Sequence, residues 1–196
     1  MAAAQAAAAG EQRRRSDTRE RIQAIAVELF VEQGYDKTSL QEIADRLGVT
    51  KAALYYHFKS KEAIVASLFH DWLAAVDQII DWAREQPRTP QTRQELLRRY
   101  NQVLDNTGSG MTRFVQESQQ AMRHLSIGPQ LLQRFRALAA LLTDPDAPPR
   151  AQLKSSLALV TLHIGRFAPY QLPEQISDAD RRAAALDVAL ELVASQ

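Results

Sequence analysis

Apolar residues recur at helical spacing through most of this chain, and that periodicity predicts an all-α fold. Ile22, Ile25, Ala26, Leu29 and Phe30 fall at i, i+3, i+4, i+7 and i+8, an amphipathic stripe for a helix over about Asp17–Gln33. Ser16 is placed to cap it and Gly34 to stop it. Leu40, Ile43, Ala44 and Leu47 stripe a short second helix, and Leu54 and Phe58 face inward on a third, Lys51–His57. A long helix follows from Ser60 to about Arg84, with Ile64, Leu68, Phe69, Trp72, Val76 and Ile79 on one face. Pro87 and Pro90 break the pattern.

Three further helices are expected. Thr92–Asn106 carries Leu96, Leu97, Tyr100, Val103 and Leu104; Met111–Leu125 carries Phe114, Val115, Met122 and Leu125; Gln130–Leu142 carries Leu131, Leu132, Phe135, Leu138 and Leu141. TDPDAPP, 143–149, reads as a loop. The last two helices, Arg150–Phe167 and about Asp178–Ala194, are apolar on more than one side. A helix of that kind must be covered on more than one side. Either both are internal core, or Leu153, Leu157, Val160, Ile164, Ala185, Val188, Ala189 and Leu192 pair with the same residues of a second copy in a two-fold four-helix interface.

The region 38–62 is the most specific. Ser39 followed three residues later by Glu42 is a capping box for the second helix, and Gly48 sits where a helix end takes a left-handed residue. Thr50 and Ser60 are placed to cap the helices after them. Two short helices about a glycine turn match a helix-turn-helix, whose second helix enters the DNA major groove. From Arg46 to Lys61 there is no Asp or Glu, while Arg46, Lys51, Lys59, Lys61 and His57 are all present. The helix N-termini there offer amides to phosphate.

The run IADRLGVTKAALYYHFKSKE, with Phe30 and Gly34-Tyr35 before it, resembles the DNA-binding signature of the tetracycline-repressor (TetR) family of bacterial transcription regulators. The matching residues are Ile43-Ala44, Gly48-Val49-Thr50, Leu54-Tyr55, His57-Phe58 and Ser60-Lys61-Glu62, in the first third of the chain. Ala52 departs mildly, where the family often has glycine or serine. The alanine-rich start predicts a flexible tail over 1–15 and the three helices a DNA-binding domain over 16–62; the resemblance implies a helical ligand-binding and dimerisation domain over 63–196. It also implies a homodimer on a pseudo-palindromic double-stranded operator, a small effector bound in the body, and repression, with activation or ligand-independent regulation as the alternative.

Carried over onto this chain, Tyr55, His57 and Lys61 take phosphate positions. Ser39 and Thr50 add cap-adjacent donors, and Lys51, Ala52, Ala53 and Tyr56 face base edges. For His57 a buried structural role stays open, as does a solvated role for Arg13-Arg14-Arg15 against a DNA-contacting arm. Phe69, Trp72, Tyr100, Phe114, Phe135, His124 and His163 are candidates for lining an apolar effector pocket, with plain core as the other reading.

Composition adds exclusions rather than evidence for DNA. Net charge is +1; residues 1–62 carry 10 Lys+Arg against 9 Asp+Glu, and 63–196 carry 14 of each. The DNA reading therefore rests on motif and local charge placement. There is no cysteine, and four scattered histidines form no metal-ligand spacing, so neither metal nor cofactor is expected. No phosphate loop or nucleophile motif supports an enzyme. A DNA-free helical interaction module is the rival from another class. No apolar run approaches the ~18–20 residues that span a bilayer. MAAAQAAAAG makes a poor signal peptide, so a cytoplasmic protein without membrane contact is expected.

Overall fold

The computed structural model describes residues 2–118, 125–167 and 176–194, with side chains from Asp17 onward except Ser109. The described residues contain helices and no strand: α1 Ala2–Gln33, α2 Leu40–Leu47, α3 Lys51–His57, α4 Lys61–Arg84, α5 Pro90–Asp105, α6 Ser109–Glu117, α7 Ile127–Leu141, α8 Pro149–Phe167 and α9 Asp178–Ala194. They form two compact units. The first is 1–69 with 109–126, and the second is 70–108 with 127–196.

Three boundaries differ from the sequence reading by more than two residues. α1 starts at Ala2 instead of near Asp17, and passes through Ser16 without a cap. Alanine is the best helix former, so an Ala-rich lead-in extends a helix that its apolar stripe only begins to specify at Ile22. α6 ends at Glu117, short of the expected Leu125; Met122 and His124 lie outside the described residues. α7 begins at Ile127, so Gly128 and Pro129 lie in its first turn, where the missing proline N–H is no loss.

The packing also divides the chain at Phe69/His70 within the continuous α4, not at 62/63, and it returns α6 to the first unit. The first unit's core holds Ile22, Ala26, Phe30, Ile43, Leu54, Phe58, Ile64 and Phe114. The second is built on Val76, Ile80, Leu96, Leu97, Leu104, Leu138, Leu159 and Val193. Segment 51–84 contains a window apolar enough, by length and composition, to cross a membrane, with a mean hydropathy of 1.3. That amends the expectation that no run approaches such a length. Its apolar residues Ile64, Val65, Phe69, Val76, Ile79 and Ile80 are buried against protein.

The loops of the second unit are tied by arginines. Arg88 donates to the Thr143 carbonyl at 2.8 Å and buried Arg93 pairs with Asp144 at 2.8 Å, which fixes the 143–147 loop. α5 enters from a Thr89 cap with Pro90 in its first turn.

α8 and α9 pack closely on each other within the chain. Gly165 allows this approach, since a Cβ there would stand 2.6 Å from the Ala185 Cβ. Arg181 Nε donates to the Gly165 carbonyl across the same contact at 3.0 Å. Ala185 and Ala189 are therefore intrachain core, with Ala189 0% exposed, and they correct two of the residues assigned above to an interface between copies. Their small side chains answer a neighbouring helix of the same chain. Leu153, Leu157 and Val188 keep 60%, 43% and 45% exposure, Val160 is exposed too, and Ile164 and Leu192 are half-buried.

Candidate nucleic-acid interface and effector site

The turn between α2 and α3 is fixed from within. Ser39, extended at φ −110°, accepts from the Glu42 amide at 3.2 Å, and the Glu42 carboxylate accepts from the Ser39 amide at 2.7 Å. Those bonds hold the Glu42 carboxyl below the usual range. Gly48 is left-handed at φ 73°, and the Val49 amide then reaches the Ala44 carbonyl at 3.0 Å. Thr50 Oγ1 accepts from the Ala53 amide at 3.2 Å, and Ser60 Oγ from the Ala63 amide at 3.0 Å. Each cap expected between Ser39 and Ser60 forms.

α3 buries only Leu54, with Phe58 just past its end. Lys51, Ala52, Ala53, Tyr55 and Tyr56 are all exposed, with Tyr56 at 61%. Lys51 Nζ lies 5.7 Å over the Tyr55 ring, and Tyr56 and His57 meet edge-on at 5.3 Å. His57 is half-buried, between its two readings. Ser39 at the α2 cap and Thr50 at the α3 cap are both exposed.

Lys61 has a task the sequence reading missed. Its ammonium donates to the Tyr35 carbonyl at 2.6 Å and the Asp36 carbonyl at 3.3 Å, and sits 4.5 Å over the Tyr35 ring. It staples the α1–α2 turn to the start of α4, so it is not an uncommitted phosphate donor. Arg46 pairs with Glu32 at 3.0 Å, which offsets its charge at the surface. Of the basic residues in the acid-free run, Arg46, Lys51 and Lys59 are exposed, Arg46 as the partner of Glu32.

Beneath the turn, Thr38 is buried and donates to the Gly34 carbonyl at 2.9 Å. Tyr35 packs on Phe30 at 5.1 Å and on Phe114 at 6.3 Å, and burial raises its pKa. Glu62 accepts from the Ser126 amide at 2.9 Å, tying the first turn of α4 to the segment after α6. Arg13–Arg15 lie in α1, and their side chains are outside those described.

The seven pocket candidates separate. Phe69 and Phe114 belong to the first unit, where Phe114 meets Phe30 at 5.7 Å, so both are core there. A stripe position alone does not say which unit it faces. His124 lies outside the described residues. The other four come together in the second unit: Trp72 lies 6.4 Å from Tyr100, Tyr100 stacks with His163 at 5.8 Å, and Phe135 meets His163 edge-on at 6.0 Å. Phe167 joins them 5.7 Å from His163. Sequence reasoning missed Phe167, although its four-residue spacing from His163 places both on one face of α8.

Tyr100 Oη and His163 Nε2 share a hydrogen bond of 2.6 Å. Burial pulls the His163 pKa down to about 4 and raises that of Tyr100, so both stay neutral at pH 7. The Trp72 indole nitrogen is buried with no hydrogen-bond partner among the described residues.

A capped helix-turn-helix that exposes its second helix, in a chain with a separate all-helical unit, defines a DNA-binding transcription regulator. Residues 22–68 match the family model for bacterial regulatory proteins of the tetR family. The chain is 29% identical over 192 residues to the HTH-type transcriptional regulator SrpR of Pseudomonas putida, covering 89% of this chain and 82% of that one. It is 33% identical over 127 residues to TtgW, an uncharacterized HTH-type transcriptional regulator, also of Pseudomonas putida, covering 56% of this chain and 92% of TtgW. The crystal structure of PfmR, a TetR family transcriptional regulator from Thermus thermophilus, matches with a TM-score of 0.58 at 26% identity, over 87% of this chain and 97% of that one. The chain belongs to the TetR family of bacterial transcription regulators. It is a dimeric operator-binding protein and not an enzyme.

Proposed function

We propose that this regulator is a repressor that binds a pseudo-palindromic operator as a two-fold homodimer and is released by a small, largely apolar effector. Residues 16–62 read DNA; residues from 63 onward sense and dimerise. The observation that carries the reading is α3: anchored by Leu54, capped at Thr50, and presenting Lys51, Ala52, Ala53, Tyr55 and Tyr56 outward. Lys51, Ala52, Ala53 and Tyr56 face base edges, while Tyr55, His57 and the amides at the Ser39 and Thr50 caps meet phosphates. Lys61 acts on DNA through the turn it staples.

The exposed stripe of Leu153, Leu157, Val160 and Val188, flanked by Ile164 and Leu192, supports the dimer face. Trp72, Tyr100, Phe135 and His163 support an effector site, because their polar groups are neutral and the rest is apolar. An effector that releases DNA must favour the non-binding state by several kcal/mol to move the population from mostly bound to mostly free. The protein works in the cytoplasm and contacts no membrane; Ile64, Val65, Phe69, Val76, Ile79 and Ile80 of α4 are buried on protein.

Selection from random duplexes tests this reading. The expected product is one motif with two related half-sites, each read by one protomer. Lys51→Ala should relax preference at one base pair per half-site by about 1–3 kcal/mol and leave the other positions unchanged. Recovery of no motif, or a uniform loss at every position, contradicts the assignment.

A further inference from the structure

Trp72 carries an unmet hydrogen-bond donor. The indole packs against the second unit's core, and its nitrogen is buried with no partner among the described residues. An indole N–H can only donate, so acceptance by another group is the only way to satisfy it. The nearest aromatic partner, Tyr100, has its hydroxyl bonded to His163. Trp72, Phe135 and Phe167 remain only partly buried around a fully buried Tyr100, so the cluster keeps surface that a guest can cover.

The same surroundings exclude a charged guest. His163 is neutral at pH 7. The arginines of the neighbouring helix segments already have carboxylate partners: Arg99 with Glu95, Arg134 with Asp77, and Arg166 with Asp105. An anion beside Trp72 would meet one N–H, with Arg99, Arg134 and Arg166 already committed to carboxylates, which does not repay the desolvation of a charge.

We propose that the effector is a flat, largely apolar molecule bearing one neutral hydrogen-bond acceptor, a carbonyl or ether oxygen, which takes the Trp72 Nε1–H. This rests on the reading of the cluster as the effector site. Satisfying a buried donor favours the acceptor-bearing ligand over its hydrocarbon counterpart by ~10-fold.

Three probes of one shape separate the possibilities: 9-fluorenone (neutral acceptor), fluorene (none) and fluorene-9-carboxylate (anion). Each is measured by equilibrium dialysis against the full-length protein and its Trp72→Phe variant, with thermal melting to confirm that the variant is folded. The chain has two tryptophans, so an amide–indole NMR spectrum has two indole signals, and the variant identifies that of Trp72.

The expected result is that fluorenone binds ~10-fold tighter than fluorene, that it moves the Trp72 indole signal, and that the preference disappears in Trp72→Phe while fluorene binding persists. Equal binding of ketone and hydrocarbon overturns the inference and leaves the effector site standing; it is also the outcome if a water keeps the indole N–H. A preference that survives Trp72→Phe, or tightest binding of the carboxylate, overturns it as well. Binding of none of the three overturns both the inference and the effector-site reading.

Discussion

The turn and caps of the helix-turn-helix are held in shape by contacts between residues close in the chain, and the aromatic cluster and loops of the second unit by contacts between residues far apart. In the first, Ser39–Glu42, Thr50–Ala53 and Ser60–Ala63 each close over three residues. In the second, Tyr100–His163 spans 63 positions, Arg134–Asp77 spans 57 and Arg88–Thr143 spans 55. The reading surface is thus a local construction that presents one side of a short helix. The aromatic cluster proposed as the effector site exists only when α4, α5, α7 and α8 have assembled, so anything that disturbs their packing changes it.

The sharpest way to break this contrast is Leu54→Ala. Leu54 is 0% exposed and is the buried anchor of α3. Removing it should destabilise the first unit by about 2–5 kcal/mol and abolish operator binding. The proposed dimer face lies in the second unit, so the mass by analytical ultracentrifugation should stay that of a dimer. Dissociation to monomers would show that the two units are not separable in this way.

The next effect belongs to the second unit and to acid. His163 titrates near 6.5 when unfolded and at about 4 when folded. As pH falls through that window the unfolded chain takes up a proton that the folded chain does not, so stability drops, by at most about 3 kcal/mol. Glu42 and Glu62, held below their usual range, add losses of the same sign at lower pH. The His163 share is therefore read against a variant. Urea unfolding at pH 7 and pH 4.5 should show a smaller drop in His163→Gln than in wild type; equal drops would contradict a buried neutral imidazole.

The smallest effect is again local. Ser39→Ala removes the α2 cap and should lower stability by about 1 kcal/mol, with a modest loss of operator affinity and no change in effector binding. An altered effector affinity in that variant would blur the distinction between the units.

The same difference in range explains what could be read from the chain alone. The capping box, the left-handed Gly48 and the buried Leu54 and Phe58 follow from spacing within a few residues, and all are present. Lys61's bond to Tyr35, 26 residues away, and Glu62's bond to Ser126, 64 away, were invisible for the reason that hides most of the second unit. Periodicity shows that Phe114 and Tyr100 are inward-facing, but not that one packs under the turn and the other beside His163. Ala185 and Ala189 misled in a related way. Small residues on a helix signal close approach, and only the structure shows that the approaching backbone is Gly165 of the same chain.

The most direct measurement is fluorescence-anisotropy titration of labelled DNA from immediately upstream of the protein's own gene, against unrelated DNA, at two salt concentrations. The account predicts tight binding to one segment, far above the control, with two protomers per site. Weak and equal binding to both DNAs, lost steeply with added salt, would mean phosphate contacts alone and would contradict it.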